Sequence, residues 1–232
     1  MPKFIADFFP NVANYWDIFL TALNATYQMF FIAGLITLLI GGIFGISLIV
    51  TKTDGIKPNR MIHFILEVIT NVFRAVPFII LLIFLIPLTR SIAGTSIGVK
   101  GAVVPLVFGA VPFYTRQVET ALADVNPGKI EAARSMGRST LGIIFRVYLH
   151  EALPDLIRVT TITAISLIGL TTSAGAVGAG GIGSFAINYG QNLHYQDVVN
   201  LCVILLLIIV SLIQLLGNTL SKATTNKELF HK

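Results

Sequence analysis

Charge is what this sequence has least of. Lys, Arg, Asp and Glu together make up 12% of its 232 residues while 55% are hydrophobic, roughly half the charged share of an ordinary soluble domain. So little polar surface cannot cover a water-soluble core, and with a mean hydropathy of +0.83 the chain reads as an integral membrane protein with no soluble domain left over. Cysteine occurs once, at Cys202, which excludes an intrachain disulfide and leaves a small packing residue in an apolar run. His63, His150, His194 and His231 are scattered without ligand spacing, so no metal site is expected. There is no Gly-x-x-x-x-Gly-Lys-Ser/Thr phosphate loop. The chain is therefore not expected to hydrolyse ATP by that route or to bind a cofactor, and energy has to come from a partner. The first thirty residues also lack a cleavable-leader pattern, since Lys3 is followed by Asp7, Pro10 and Asp17 before any long apolar run, and the N-terminus is expected to be kept.

What is abundant is apolar sequence, in five stretches. Residues 1–25, with Phe4, Phe8, Phe9, Tyr15, Trp16 and Phe19 among polar neighbours, are expected to lie beside the membrane at headgroup depth. Thr26 to Val50 is the first span, about 37 Å of helix against a hydrocarbon core of about 30 Å. Within it Gly41 and Gly45 form a Gly-x-x-x-Gly pair, near Gly34 and Gly42, that suits close packing on another helix. After the polar loop Thr51–Arg60, residues 61–88 are apolar but interrupted by Glu67, Asn71, Arg74 and Pro77, so an amphipathic lead-in precedes the part that completes the second crossing. Residues 102–114 are too short alone and must borrow from either side, and Pro105 and Pro112 disfavour a straight helix there. Val159–Val177 and Val198–Leu216 supply the fourth and fifth spans, and residues 219–232 form a polar tail.

The net charge of +5 is better explained by topology than by nucleic acid. Five spans put the termini on opposite sides. With the polar segment after the third span inside, Lys52, Lys57, Arg60, Arg116, Lys129, Arg134, Arg138, Arg146, Arg158, Lys222, Lys227 and Lys232 fall on or next to the cytoplasmic side. Lys3, Arg90 and Lys100 fall outside, and Arg74 sits within a span near its cytoplasmic end. That bias orients the N-terminus out and the C-terminus in, in the cytoplasmic membrane.

The segment around which the spans are arranged is 126–154, the one long amphipathic stretch. Asn126 is placed to cap a helix with Pro127 at its first position, where the missing N–H costs nothing. Ile130, Ala133, Gly137 and Leu141 recur at spacings of three, four and four as one small apolar face, while Glu131, Arg134 and Arg138 point elsewhere. The bland reading is an amphipathic helix resting on lipid.

The pattern Glu131-Ala132-Ala133, three residues, Gly137, nine residues, then Val147 and Leu149 resembles the cytoplasmic loop of permease subunits of bacterial ABC importers. The resemblance implies a helix–turn–helix, about residues 123–156, that seats in a groove on a separate ATPase. Glu131, Ala132, Ala133, Arg134, Gly137 and Leu149 are then the ATPase-coupling candidates: Glu131 and Arg134 for polar contacts, the alanines for close approach, and Gly137 because bulk there holds the helices away. The family pattern closes on Leu-Pro, whereas here His150 follows Leu149 and Leu153-Pro154 comes four residues later. Further stretches, among them Phe73-Arg74-Ala75-Val76-Pro77, Gly94-Thr95-Ser96-Ile97-Gly98, Glu151-Ala152-Leu153-Pro154 and Gly175 to Gly181, are similar in order and spacing to methionine importer permeases, over roughly residues 25–218. That resemblance implies an all-α, five-span type I importer fold, a domain over 26–218, and a homodimer. It also implies two cytoplasmic ATPase subunits that use ATP and Mg, and an extracytoplasmic methionine-binding protein.

Two features need their own weighing. Thr163, Ser166, Gly169 and Ser173 make a small polar stripe along the fourth span, which faces either a neighbouring helix or an aqueous path; Thr163, Ser166 and Ser173 are the pathway candidates. Gly178-Ala179-Gly180-Gly181-Ile182-Gly183 fits the spacing of a dinucleotide loop with Asp197 downstream, but no strand or βαβ unit surrounds it. Gly178, Gly180 and Gly181 are expected to form a turn or gate instead. A self-contained secondary transporter, the competing class, needs an ionisable group deep in the bilayer and internal repeats; only Glu67 and Arg74 come near the first and no repeat is visible. A passive structural protein would not need the coupling motif.

Overall fold

The computed structural model describes residues 8–229, with side chains through Thr225; Lys3, Phe4, Asp7, His231, Lys232 and the side chain of Lys227, used above, lie outside what is described. Every regular element among the described residues is helical. A short α1 (Pro10–Asn14) leads into α2 (Trp16–Thr51). Then come α3 (Arg60–Ala75), α4 (Phe78–Phe84), α5 (Ile86–Ala93) and α6 (Gly98–Ala123). The polar segment holds α7 (Pro127–Ser135), α8 (Thr140–Ile143), a π-helical turn (Ile144–Tyr148) and α9 (Leu149–Glu151). The chain continues with α10 (Leu153–Gly175), α11 (Gly181–Phe185), a second π-helical turn (Ala186–Gln191) and α12 (Gln196–Leu229).

Helices α2, α6, α10 and α12 are each long and apolar enough to cross a membrane, and α3 with α4, bent by 106°, makes the fifth candidate. The bend falls at Val76-Pro77, between an amphipathic α3 and a wholly apolar α4, as the interruption at Pro77 predicts: proline disfavours helical backbone in the residue before it. Two boundaries differ from the sequence reading. Helix α2 begins at Trp16 rather than Thr26 and runs 36 residues, about 54 Å. Residues 16–25 are therefore helical and continuous with 26–50, with Phe19 packed on Phe185. Helix α6 borrows on both sides of 102–114 and, against the sequence reading, is one 26-residue helix through Pro105 and Pro112, despite the lost donor and the ring clash that each proline brings.

The chain forms two compact units. One comprises Met1–Leu35, Val76–Gly109 and Ala164–Ile213. Its core gathers Val12, Phe19, Ala22, Ile182, Phe185, Val198 and Cys202, with ring centroids 4.7 Å apart for Tyr15 and Tyr189 and 5.5 Å for Phe19 and Phe185. The backbone N–H and side-chain amide of Asn11 both donate to the Asp197 carboxylate at 2.9 Å, so α1 is pinned to the first turn of α12. Asp197, the acid that completes the dinucleotide-like spacing, has this structural task.

The other unit comprises Ile36–Ala75, Ala110–Thr163 and Gln214–Lys232. Its core includes Ile49, Val50, Tyr114, Val118, Leu122, Ala133, Ile143 and Tyr148. Here the glycine pair of α2 meets α6: a Cβ on Gly45 would stand 2.6 Å from that of Val118, and one on Gly41 would stand 2.9 Å from the Tyr114 ring. Neither distance is tolerable, so the two backbones approach closely because these positions carry no side chain. Gly42, one residue away, faces open space.

Candidate coupling surface and substrate path

The polar segment folds as its residue types dictate. Asn126 caps α7 by accepting from the Gly128 N–H at 2.8 Å, with Pro127 at the first helical position. The helix ends at Ser135, and Gly137, at φ +74°, takes the left-handed conformation that closes it. Arg138 N–H donates to Ala133 O at 3.1 Å and Gly137 N–H to Arg134 O at 2.9 Å, the paired bonds of a Schellman stop. Ser139 then caps α8 through the Gly142 N–H at 3.2 Å. The expected single apolar face through Ile130, Ala133, Gly137 and Leu141 is therefore interrupted, since Gly137 lies in the turn and Leu141 on the next helix.

The six coupling candidates divide by exposure. Glu131, Ala132, Arg134 and Gly137 are exposed. Ala133 is buried in the chain's own core and Leu149 packs partly against it, so these two hold the segment to the body of the protein rather than face outward. Lys129 forms an ion pair with Glu151, tying α7 to α9, and Ser221 donates to Pro154 O at 3.1 Å, holding the start of α10 to α12. The helix runs past His150 to Glu151, with Pro154 in the first turn of α10. His150, where the family pattern has proline, is thus helical, and the second helix continues past it by one residue.

Three apolar side chains that the motif did not mark complete the exposed face: Met136, Leu141 and Phe145 are 72%, 66% and 65% exposed. Phe145 owes its position to the π-helical turn, which buries Ile144 and Tyr148 and turns Phe145 and Arg146 outward. Burial raises the Tyr148 phenol above its ordinary value, Asp54 adding to the shift and Arg134 opposing it. The phenol is therefore neutral at physiological pH. A surface with apolar anchors beside Glu131, Arg134 and Arg138 has the make-up of a protein contact.

Along α10 the polar stripe divides too. Thr163 is 3% exposed and its hydroxyl donates to Val159 O at 2.8 Å, which makes it a packing residue. Ser166 and Gly169 are exposed and Ser173 partly so, with its hydroxyl donating to Gly169 O at 3.1 Å. The open face is thus Ser166, Gly169 and Ser173, small and mildly polar. At the end of α10 the glycines form a turn: Gly178, Gly180 and Gly181 have φ of +92°, +79° and +81°, and Gly178 O accepts from Gly98 N–H at 3.0 Å. A Cβ on Gly181 would press on Thr26 Oγ1 at 2.7 Å, and that hydroxyl accepts from Ile182 N–H at 2.9 Å.

One polar cluster escaped the sequence reading. Arg116 on α6 pairs with Glu119 at 2.6 Å, and reaches Asn71 at 2.9 Å and Glu67 at 3.5 Å on α3. This fastens the amphipathic helix to a span. Of the two ionisable residues nearest a span, Glu67 thus lies 3.5 Å from Arg116, and Arg74 stands exposed at the end of α3.

Comparison with known proteins agrees with this arrangement. Residues 38–226 match the family described as the binding-protein-dependent transport system inner membrane component. The chain is 39% identical over 211 residues, 91% of its length and 94% of the relative's, to a probable D-methionine transport system permease protein MetI of Vibrio cholerae serotype O1. It is 41% identical over 174 residues, 75% of its length and 78% of the relative's, to the methionine import system permease protein MetP of Bacillus subtilis strain 168. Among solved structures, a chain of the MetNI methionine ABC transporter in an inward-facing conformation superposes with a TM-score of 0.86 at 42% identity, covering 89% of this chain and 96% of that one. With the family's profile running from α2 to α12, the chain is a multi-pass membrane protein that belongs to the binding-protein-dependent transport system inner membrane components.

Proposed function

We propose that this chain is the membrane-spanning subunit of an ATP-driven methionine importer, working as a homodimer with two cytoplasmic ATPase subunits and an extracytoplasmic methionine-binding protein. The observation that carries the reading is the 126–154 segment: a rigidly capped helix–turn–helix with an exposed apolar and charged face, in a chain without a phosphate loop, whose relatives are methionine permeases. The charge bias argues for this segment and the C-terminus inside and the N-terminus outside.

In the mechanism, ATP and Mg act on the partner ATPases. Their closure draws the coupling segments together, and each segment is stiff enough to pass that displacement on. Helix α7 is locked at both ends by Asn126 and the Gly137 turn and tied to α9 through Lys129–Glu151, so a push on Met136, Leu141 or Phe145 moves the start of α10. Movement of α10 carries the Ser166–Ser173 face with it and alternates access for methionine, while the glycine turn at 178–181 supplies a flexible outer end. Ser166 and Ser173 line the path and Thr163 packs behind them.

The test joins coupling to substrate. Met136→Asp and Phe145→Asp are expected to lower co-purification with the ATPase at least about tenfold, the loss of one or two buried apolar anchors, and to abolish uptake of labelled L-methionine while the subunit still reaches the membrane. Unlabelled L- and D-methionine should compete with the label in wild type. Intact ATPase binding in both variants would remove the coupling assignment, and uptake indifferent to methionine would point to another small solute.

A further inference from the structure

The end of the first span carries a built cavity that neither coupling nor the substrate path uses. It has a volume of about 340 Å³ and is lined by Thr51, Thr53, Pro58, Arg60 and His63, at the small end of the range for ligand sites. Its walls are preformed. Lys57 N–H donates to Val50 O at 3.1 Å and Asn59 N–H to Thr51 O at 3.0 Å, lacing the 52–59 loop back onto α2. Asn59 Oδ1 accepts from Ile62 N–H at 3.1 Å, fixing the start of α3. His63 Nδ1 donates to Leu48 O at 3.2 Å, since a carbonyl can only accept, which anchors the ring against α2.

The chemistry of the lining selects the ligand. Segment 51–63 holds three cations, Lys52, Lys57 and Arg60, against one acid, Asp54. Asp54 is taken by Lys52 at 3.1 Å, and the hydrogen bond from Lys52 holds its carboxyl below the ordinary range. Glu67, the next acid along α3, is committed to Arg116 at 3.5 Å and stands 3.8 Å from His63. Arg60, exposed in the cavity lining, offers a planar, always-charged fork to an oxyanion, and the exposed Thr53 lines the same cavity with a hydroxyl, a donor set that suits phosphate. Adjoining Arg60, α3 presents Met61, Phe64, Val68 and Val72, all exposed and one helical face apart. A cationic, hydroxyl-bearing cavity at the head of an apolar strip is complementary to a phosphate attached to hydrocarbon chains, not to a free ion, which has no use for the strip.

We infer that this cavity binds the headgroup phosphate of an anionic phospholipid, with the acyl chains laid along the apolar face of α3. Arg60 supplies the charge, Thr53 a hydrogen bond, and Pro58 with the His63 ring shapes the pocket. The bound lipid would steady the bent α3–α4 span from outside, opposite to the way Arg116 steadies it from inside the chain.

The experiment uses the full chain in complex with its ATPase, equilibrated with vesicles holding equal parts phosphatidylglycerol and phosphatidylcholine, then released for native mass spectrometry. Wild type is expected to retain phosphatidylglycerol over phosphatidylcholine. Arg60→Gln should cut that retention about tenfold and Thr53→Val about threefold, losses typical of a charge-assisted and a neutral hydrogen bond. Arg60→Lys should keep much of it, and Lys222→Gln, removing an exposed charge elsewhere, should leave it unchanged. Thr53 sits on an exposed loop, so its variant keeps the test open even if Arg60→Gln does not assemble. Retention unaltered by Arg60→Gln and Thr53→Val, or equally reduced by Lys222→Gln, overturns the site. Loss of the lipid to excess inorganic phosphate, with phosphate held in its place, would reassign it to the free anion.

Discussion

A single glycine separates two accounts of how the coupling segment works. Gly137 is exposed, and a Cβ there would meet nothing within 4 Å, yet its φ of +74° lies where side-chain-bearing residues are strained by about 1–2 kcal/mol. If its role is to close α7 in the left-handed conformation, Gly137→Ala and Gly137→Leu should weaken uptake to a similar degree and lower the thermal midpoint of the purified subunit similarly, with Gly137→Asn milder than either. If the ATPase packs against this position, the leucine variant should fall well below the alanine one in ATPase co-purification while their midpoints agree. Comparing the two readouts across the three variants decides which holds. The glycines of α2 show how far such arguments reach from sequence alone. Gly41 and Gly45 mark a close approach to α6, as their spacing predicts, whereas Gly42, of the same type and in the same run, meets nothing. Residue type proposes close packing; only the rotation of the helix about its axis settles which glycines are used.

Among the elements, α3 is held by polar contacts distant in sequence. Its apolar face is exposed and its polar edge, Glu67 and Asn71, is held by Arg116, 49 and 45 residues further along the chain respectively. The amphipathic pattern and the break at Pro77 were legible in the sequence, because both are local properties of the backbone and the residue period. The Arg116 hub was not, because nothing local pairs an arginine on one span with an amide and an acid on another helix. The start of α2 at Trp16 was hidden for the same reason: Phe185, far along the chain, packs on Phe19, and Tyr189 on Tyr15 just before the helix. The coupling segment was legible at its first cap, Asn126, but not at Gly137, which residue spacing placed on a continuous helical face and the backbone places in a turn, nor at its outward face, where a π-helical turn turns Phe145 out. A double-mutant cycle checks the hub. Arg116→Gln and Asn71→Ala are each expected to lower stability by about 1 kcal/mol, and the double variant by clearly less than their sum. Strict additivity would mean that Arg116 and Asn71 act independently and that no hub joins them.

For the whole molecule, the function depends on whether one face of α10 meets water in alternation from the two sides. The chain is well suited to the measurement, because its single cysteine, Cys202, is 2% exposed and gives an unreactive background. Ser173 and Ser166 lie on the same open face, seven residues or about 10 Å apart along the helix, with Ser173 nearer the glycine turn assigned to the outer end. With the chain assembled with its ATPase in sealed vesicles, a small charged thiol reagent applied from outside should label Ser173→Cys faster when the ATPases are trapped with ATP than without nucleotide, and Ser166→Cys should follow in the same direction but more weakly. Thr163→Cys, at a position 3% exposed, should stay unlabelled in both states. The direction of change matters more than its size: differential labelling requires two conformations that expose the face unequally, which is the minimum content of alternating access. Equal protection of Ser166→Cys and Ser173→Cys in both states would instead assign this face, Gly169 included, to contact with a second copy of the chain, and would leave the open Gly178 in the glycine turn as the position from which to look for the path.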